Sequence, residues 1–231
     1  MEIIWQGIIK ACEMLLQGNR EIMQVTVLTI KVSGLATLIS VIIGLPVGVF
    51  LALSVFPGRR LLVSLVNFGM GLPPVVVGLW VSIFLWRNGP LGFLHLMYTP
   101  TAMVLAQAII ASPIVIGFTI AAIQQLNPKI RLQIIALGAT WWQTLLFLVR
   151  EARMGLLAAV MAGFGGVISE VGASMMVGGN IKGETSVLTT ATVLEVSKGN
   201  LDVAIAISVI LLALAYGVTL FLTIQQQKRP V

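Results

Sequence analysis

Five stretches of this chain are each longer than 20 residues and almost free of charge: Val32 to Phe56, Leu61 to Trp86, Thr101 to Ile123, Met154 to Val177 and Val203 to Ile224. Glu170, in the fourth, is their only charged side chain. A helix of about 20 apolar residues crosses a hydrocarbon core of about 30 Å, so each run is long enough to be one span. The first helix can begin as early as Val25 if Lys31 snorkels to the interface. Hydrophobic residues make up 58% of the chain and charged residues 10%, whereas soluble domains carry about 25% charged residues. Lipid is therefore part of the solvent of this fold.

The expectation is an all-α polytopic membrane protein with about five transmembrane helices, forming a single domain over residues 1–231. Residues 1–24 read as an N-terminal interfacial segment, because Lys10 and Glu13 interrupt the apolar stretch from Ile3 to Leu16. With Glu2 and Glu13 and no basic n-region, this segment is not expected to be a cleavable signal peptide.

Five spans place the termini on opposite sides of the membrane. Arg59, Arg60, Lys129, Arg131, Arg150, Arg153, Lys228 and Arg229 fall in segments that share one side, against a single acid, Glu151. The other segments hold six basic residues and seven acids, with Lys31 and Glu170 counted there. Basic residues cluster on the cytoplasmic side of membrane proteins, so the N-terminus is expected outside and the C-terminus inside. The high pI of about 10 reflects this bias, and nucleic acid is not an expected partner.

The inventory of reactive groups is sparse. His95 is the only histidine and Cys12 the only cysteine, and no His/Cys/Asp/Glu cluster has metal-ligand spacing. The phosphate-cradling pattern GxxxxGK[ST] is missing as well. The chain is expected to be non-catalytic, with no cofactor of its own.

Residues 127–149 form the longest stretch on the basic side, and they carry their own helix punctuation. Asn127-Pro128 is an N-cap followed by proline at the first helical position. Gly138 stands where a helix ends in a left-handed residue. Thr140-Trp141-Trp142-Gln143 is a capping box that starts a second helix. Apolar Ile134, Ile135, Leu137, Trp141 and Trp142 near the tip suit a hairpin that docks into a partner's groove, or one that lies in the headgroup region.

The stretch Ala136-Leu137-Gly138-Ala139, followed by Gly155 and then Ile168-Ser169-Glu170-Val171-Gly172-Ala173, resembles the EAA loop region of ABC importer permeases. Leu132-Gln133-Ile134 stands where that family has Glu-Ala-Ala, and Met154 where a proline often precedes the glycine. No role of the family's glutamate carries over, while Gly138 is in register. Further segments resemble molybdate and tungstate permeases. These are Gly71-Leu72-Pro73-Pro74-Val75-Val76-Val77-Gly78-Leu79 and Asn88-Gly89-Pro90-Leu91-Gly92. Tyr98-Thr99-Pro100-Thr101-Ala102-Met103, Ala106-Gln107 and Gly178-Gly179-Asn180-Ile181-Lys182-Gly183-Glu184-Thr185 are most similar to the tungstate branch.

The resemblance implies a permease of the cell (inner) membrane, working as a dimer and carrying tungstate in the first place and molybdate next; the alternatives are a permease for sulfate or another small solute, or an ATP-independent transporter or channel. Its implied partners are cytoplasmic ABC ATPase subunits, which bind ATP and Mg, and an extracytoplasmic oxyanion-binding protein. It implies that Arg131, Gln133, Ala136, Leu137, Gly138, Ala139 and Trp141 couple to the ATPase. Pro73, Pro74, Ser169, Glu170 and Gly172 are the expected pathway or gate residues. Pro73-Pro74 and Pro113 are expected to interrupt the second and third spans, where freed backbone groups need protein or a water-filled cavity. An intramembrane acid is a functional candidate by default, but Glu170 equally suits a bracing role. Small residues in the fourth span (Gly155, Ala159 and Gly163 on one stripe, Ala158, Ala162 and Gly166 on another) permit close helix approach. They suit packing within one subunit or contact with a second copy.

The topology is testable by labelling. In a Cys12→Ser background, an impermeant maleimide applied to intact cells is expected to modify Lys198→Cys and to leave Arg59→Cys untouched. The opposite pattern overturns the assigned sidedness.

Overall fold

The computed structural model describes residues 5, 7, 9–11, 13 and 19–227. The remainder of the expected interfacial segment, and Lys228 and Arg229 of the basic set, lie outside the described residues. From Asn19 onward the described chain is helical with connecting loops and has no strand. Its helices are α1 (Arg20–Leu53), α2 (Arg59–Met70), α3 (Pro74–Leu85), α4 (Pro100–Gln124), α5 (Pro128–Ala136), α6 (Trp141–Glu151), α7 (Arg153–Ile168), α8 (Gly172–Gly178), α9 (Leu188–Ser197) and α10 (Leu201–Gln227).

Three of these helices, α1, α4 and α10, are long and apolar enough to cross a membrane alone. Two further candidates are bent pairs: α2 with α3, at 102°, and α7 with α8, at 57°. The count of three to five spans contains the expected five, but the run from Leu61 to Trp86 is not one straight helix. Gly71 ends α2, and Pro73-Pro74 starts α3 with an extended backbone at Pro73 (φ −62°, ψ 122°). Proline disfavours a helical residue before it, so two prolines in succession force the chain to stop and restart.

Pro113 does not interrupt the third span. It lies inside α4, which continues to Gln124. Gly69 of α2 leaves room for its ring, since a Cβ there would lie 2.8 Å from Pro113 Cγ. One boundary also shifts. Asn19 caps α1 by accepting from Glu21 N–H at 3.0 Å, so the helix starts inside the expected interfacial segment and includes Lys31. At the α-helical rise, its 34 residues span about 51 Å. That is more than a bilayer core of about 30 Å requires. Helix α9 was not expected at all. Its first turn is buried, and Thr29 of α1 accepts from Leu188 N–H at 2.9 Å, tying the loop after α8 back to α1.

α4 is the axis of the fold, packed against α1, α2, α3, α7 and α8. The approach is close because glycines face it. A Cβ at Gly44 or Gly48 of α1 would meet Val115 or Thr119, and one at Gly155 or Gly163 of α7 would meet Ala122 or Val115, all at 2.5–2.7 Å. Gly166 faces Ile114 of the same helix. The small residues of the fourth span that can be placed this way therefore serve packing within one subunit.

The loops sort into two ends. Residues 54–58 and 125–152 lie at one, where Gln226 Nε2 of α10 also donates to Met154 O at 2.8 Å. The loop after α8 and the start of α10 lie at the other, beside the start of α1. There Lys182 pairs with Glu21 at 2.8 Å, and this hydrogen bond holds the Lys182 ammonium above its ordinary pKa. Arg59, Arg60, Lys129, Arg131, Arg150 and Arg153 thus gather at the hairpin end.

The tightest joint is between the half-helices. A Cβ at Gly78 of α3 would lie 2.6 Å from Ala173 Cα of α8, and backbone cannot turn aside as a side chain can. Gly78→Val is expected to lower the thermal midpoint of the purified protein by several degrees, as overpacking costs about 1–3 kcal/mol. Gly34→Ala, in open space inside a helix, should leave it unchanged or raise it slightly. Equal midpoints for the two variants would show that α3 and α8 need no such contact.

Candidate coupling hairpin and gate

Gln125 ends α4, and Asn127 then caps α5 by accepting from Lys129 N–H at 3.0 Å. Arg131, Gln133 and Ala136 lie on α5, and Leu137, Gly138 and Ala139 form the turn. Gly138 has φ +82°, a conformation that costs a residue with a Cβ about 1–2 kcal/mol. Trp141 opens α6 behind a complete capping box. Thr140 N–H donates to Gln143 Oε1 at 2.8 Å, and Gln143 N–H donates to Thr140 Oγ1 at 3.4 Å.

No residue of α5 is buried. Leu132, Ile135 and Leu137 are 67%, 50% and 87% exposed, so the hairpin presents an apolar edge that the described residues do not cover. Trp141 and Trp142 stack edge to face with ring centroids 4.6 Å apart. α6 is held by α5 and α7, and only Ala152 separates it from α7.

That junction carries the hairpin into the membrane-spanning bundle. The 16 residues of α7 extend about 24 Å and end at Ser169, where the chain bends into α8. Ser169 is exposed, and its Oγ donates to Gly165 O at 2.8 Å. Glu170 is only 6% exposed. Its Oε1 accepts from Ala173 N–H at 2.5 Å, the N–H of Ser174 is a second donor to the carboxylate, and its backbone oxygen accepts from Thr189 Oγ1 at 3.0 Å. Among the described residues it has no basic partner. Its carboxyl is met by backbone amide at the start of α8.

The two breaks come together. A Cβ at Gly172 would lie 2.4 Å from Val75 Cγ2, next to Pro73 and Pro74. Ser82 Oγ donates to Met176 O at 3.2 Å, so α3 and α8 run side by side in the same direction from the break. Gln107 Nε2 of α4 donates to Ser174 Oγ at 2.9 Å, fully buried, and fixes α8 to the central helix. Such a bond between helices in lipid contributes about 0.6–2 kcal/mol. The sequence quoted Gln107 only within a motif, and a buried amide opposite a buried serine becomes visible only when α4 and α8 are placed. The seven candidate coupling residues all fall within residues 131–141 of the hairpin. The five candidate gate residues form a second cluster at the other end of α7.

The Glu170 cap can be separated from its charge. Glu170→Gln keeps a carbonyl acceptor for the α8 amides, while Glu170→Ala removes it. The Ala variant is expected to unfold at a lower temperature, since losing a cap costs about 1 kcal/mol, with the Gln variant nearer wild type. An Ala variant as stable as wild type would mean that the contact to α8 contributes nothing.

Residues 44–229 match the family model described as a binding-protein-dependent transport system inner membrane component. A tungstate uptake system permease protein, TupB, of Peptoclostridium acidaminophilum is 38% identical over 218 residues, covering 94% of this chain and 96% of that protein. A TupB of Campylobacter jejuni is 35% identical over 161 residues, covering 70% and 67%. In structure, the chain is similar to an amino acid ABC transporter with a TM-score of 0.70 at 20% identity, covering 93% of this chain and 97% of that one. This last likeness concerns the fold alone. The chain belongs to the binding-protein-dependent transport system inner membrane components and is the permease subunit of an ABC importer.

Proposed function

We propose that this permease carries an oxyanion, tungstate in the first place and molybdate next, across the cell (inner) membrane. Two copies surround the pathway, since five helices are too few to enclose a gated channel and a closed twofold assembly doubles them. The N-terminus is outside and the hairpin end, with the C-terminus, is cytoplasmic. The charge distribution supports this sidedness, with six basic residues against Glu151 at the hairpin end. An extracytoplasmic binding protein delivers the anion, and separate cytoplasmic ATPase subunits bind and hydrolyse ATP with Mg.

The observation that carries the reading is the continuous path from hairpin to break. ATP-driven closure of the ATPase subunits moves the docked hairpin, with Arg131, Gln133, Ala136, Leu137, Gly138, Ala139 and Trp141 at or near the contact. α7 transmits that movement to Ser169 and Glu170, where the chain is already bent. Gly172 then shifts against Val75, opening or closing the seam beside Pro73-Pro74. The spans hold no lysine or arginine between Val32 and Phe56 or in the four later apolar runs. An anion in transit therefore meets no fixed positive charge that would hold it, and it is released readily. The TupB likeness over nearly the whole chain supports tungstate as substrate.

Uptake in cells lacking the gene tests both parts. Tungstate accumulation is expected to collapse, and the wild-type gene should restore it with molybdate acting as the weaker competitor. Gly138→Val should insert normally yet fail to restore uptake. Restored uptake with Gly138→Val would remove the hairpin from the mechanism, and unchanged tungstate accumulation in the deletion would remove the substrate.

A further inference from the structure

Arg131 and Trp141 also line a cavity of about 400 Å³ between the hairpin and the final turns of α1. Its walls include Leu45, Val49 and Phe50 from α1, and Leu145 and Leu148 from α6. Arg131 is the only charged side chain on the wall, and it makes no ion pair among the described residues. The principal neighbours of α1 are α4 and α7, while those of α6 are α5 and α7. Leu145 and Val149 of α6 reach the apolar cluster that includes Val49 and Leu156, and the cavity lies beside this contact with apolar surface from both helices.

We infer that this cavity seats one acyl chain of an anionic phospholipid, with the headgroup phosphate at Arg131 and Trp141. Depth is the first reason. α1 is a membrane-span candidate, and the cavity follows its last turns to Leu53 and Ser54, where the apolar helix stops ahead of Arg59 and Arg60. At that level acyl chains are the apolar material at hand, and headgroup phosphates lie just beyond.

Chemistry is the second reason. A guanidinium pairs with phosphate through two parallel N–H bonds, and a tryptophan at headgroup level keeps its ring apolar and its N–H wet. An apolar wall offers trapped water too few partners. A protein segment filling the same groove would have to bring an acid to Arg131, whereas a phospholipid carries chain and anion in one molecule. The surrounding excess of basic residues favours an anionic headgroup over a zwitterionic one. A bound lipid would form part of the hairpin's seat against α1. The inference rests on the hairpin end facing a phospholipid leaflet and is independent of which ion is carried.

The test uses the assembled transporter in vesicles of equal phosphatidylglycerol and phosphatidylethanolamine, extracted and weighed by native mass spectrometry. Wild type is expected to retain phosphatidylglycerol about fivefold over phosphatidylethanolamine. Arg131→Gln, at an exposed position, should bind lipid with that preference reduced at least twofold, and an undiminished preference removes Arg131 from the site. Val49→Trp, and independently the half-buried Leu145→Trp, should fill the groove and lose the bound lipid. Equal retention of both lipids by wild type, or undiminished binding in both groove-filling variants, overturns the proposal. So does a Leu145→Cys cross-link to an ATPase subunit or a second copy, since a protein would then occupy the groove.

Discussion

Helices in lipid gain nothing from hiding apolar side chains from one another, so they associate only where their surfaces fit closely or exchange hydrogen bonds. In this permease the fit is made around α4. Gly44 and Gly48 bring α1 onto it, Gly155 and Gly163 bring α7, and Gly69 admits α2 beside Pro113. Each of these glycines stands where a Cβ would overlap α4. Close packing of this kind resists small deformations, because interiors at this density shift between discrete arrangements rather than bend. A central helix held on several sides can therefore serve as a fixed frame.

Against that frame, the parts that can move are those whose backbone is already broken. α3 and α8 are short, begin at adjacent breaks, and are joined through Gly78, Gly172 and the hydroxyl of Ser82. The Gln107–Ser174 bond pins α8 to α4, and Glu170 satisfies the first amides of α8 where no earlier turn supplies acceptors. α7 joins this assembly to the hairpin through the single residue Ala152. About 24 Å of continuous helix lies between Ala152 and Ser169. In family terms this chain departs from the EAA pattern at Leu132-Gln133-Ile134, yet the left-handed glycine and both caps that shape the hairpin are in place.

Local signals were readable from the residues wherever one rule dominated. Asn127-Pro128, Gly138 and the Thr140–Gln143 capping box fixed the hairpin, because caps and positive-φ glycines act over three or four residues. Apolar length located the membrane runs. What stayed hidden depends on partners distant in sequence. Pro113 looked like a break, as Pro73-Pro74 is, but one proline facing a glycine on a neighbouring helix is accommodated and two in succession are not. The first turn of α9 is secured by Thr29, 159 residues away, and its Leu188-Thr189-Thr190 start, which resembles the tungstate branch, carries no local signal that a helix begins there. Glu170 suited a gate or a brace equally from the sequence, and the structure adds that its carboxylate is occupied by the amides of α8.

The central claim is that the exposed apolar edge of the hairpin meets the ATPase subunit. The most direct measurement is site-specific cross-linking of the assembled complex, with Leu137→Cys paired against single cysteines along the ATPase surface. Efficient cross-linking at Leu137, changing in extent when ATP is bound, is the expected result. A complex that assembles and hydrolyses ATP normally while Leu137→Cys reaches no ATPase position, with or without ATP, would contradict it.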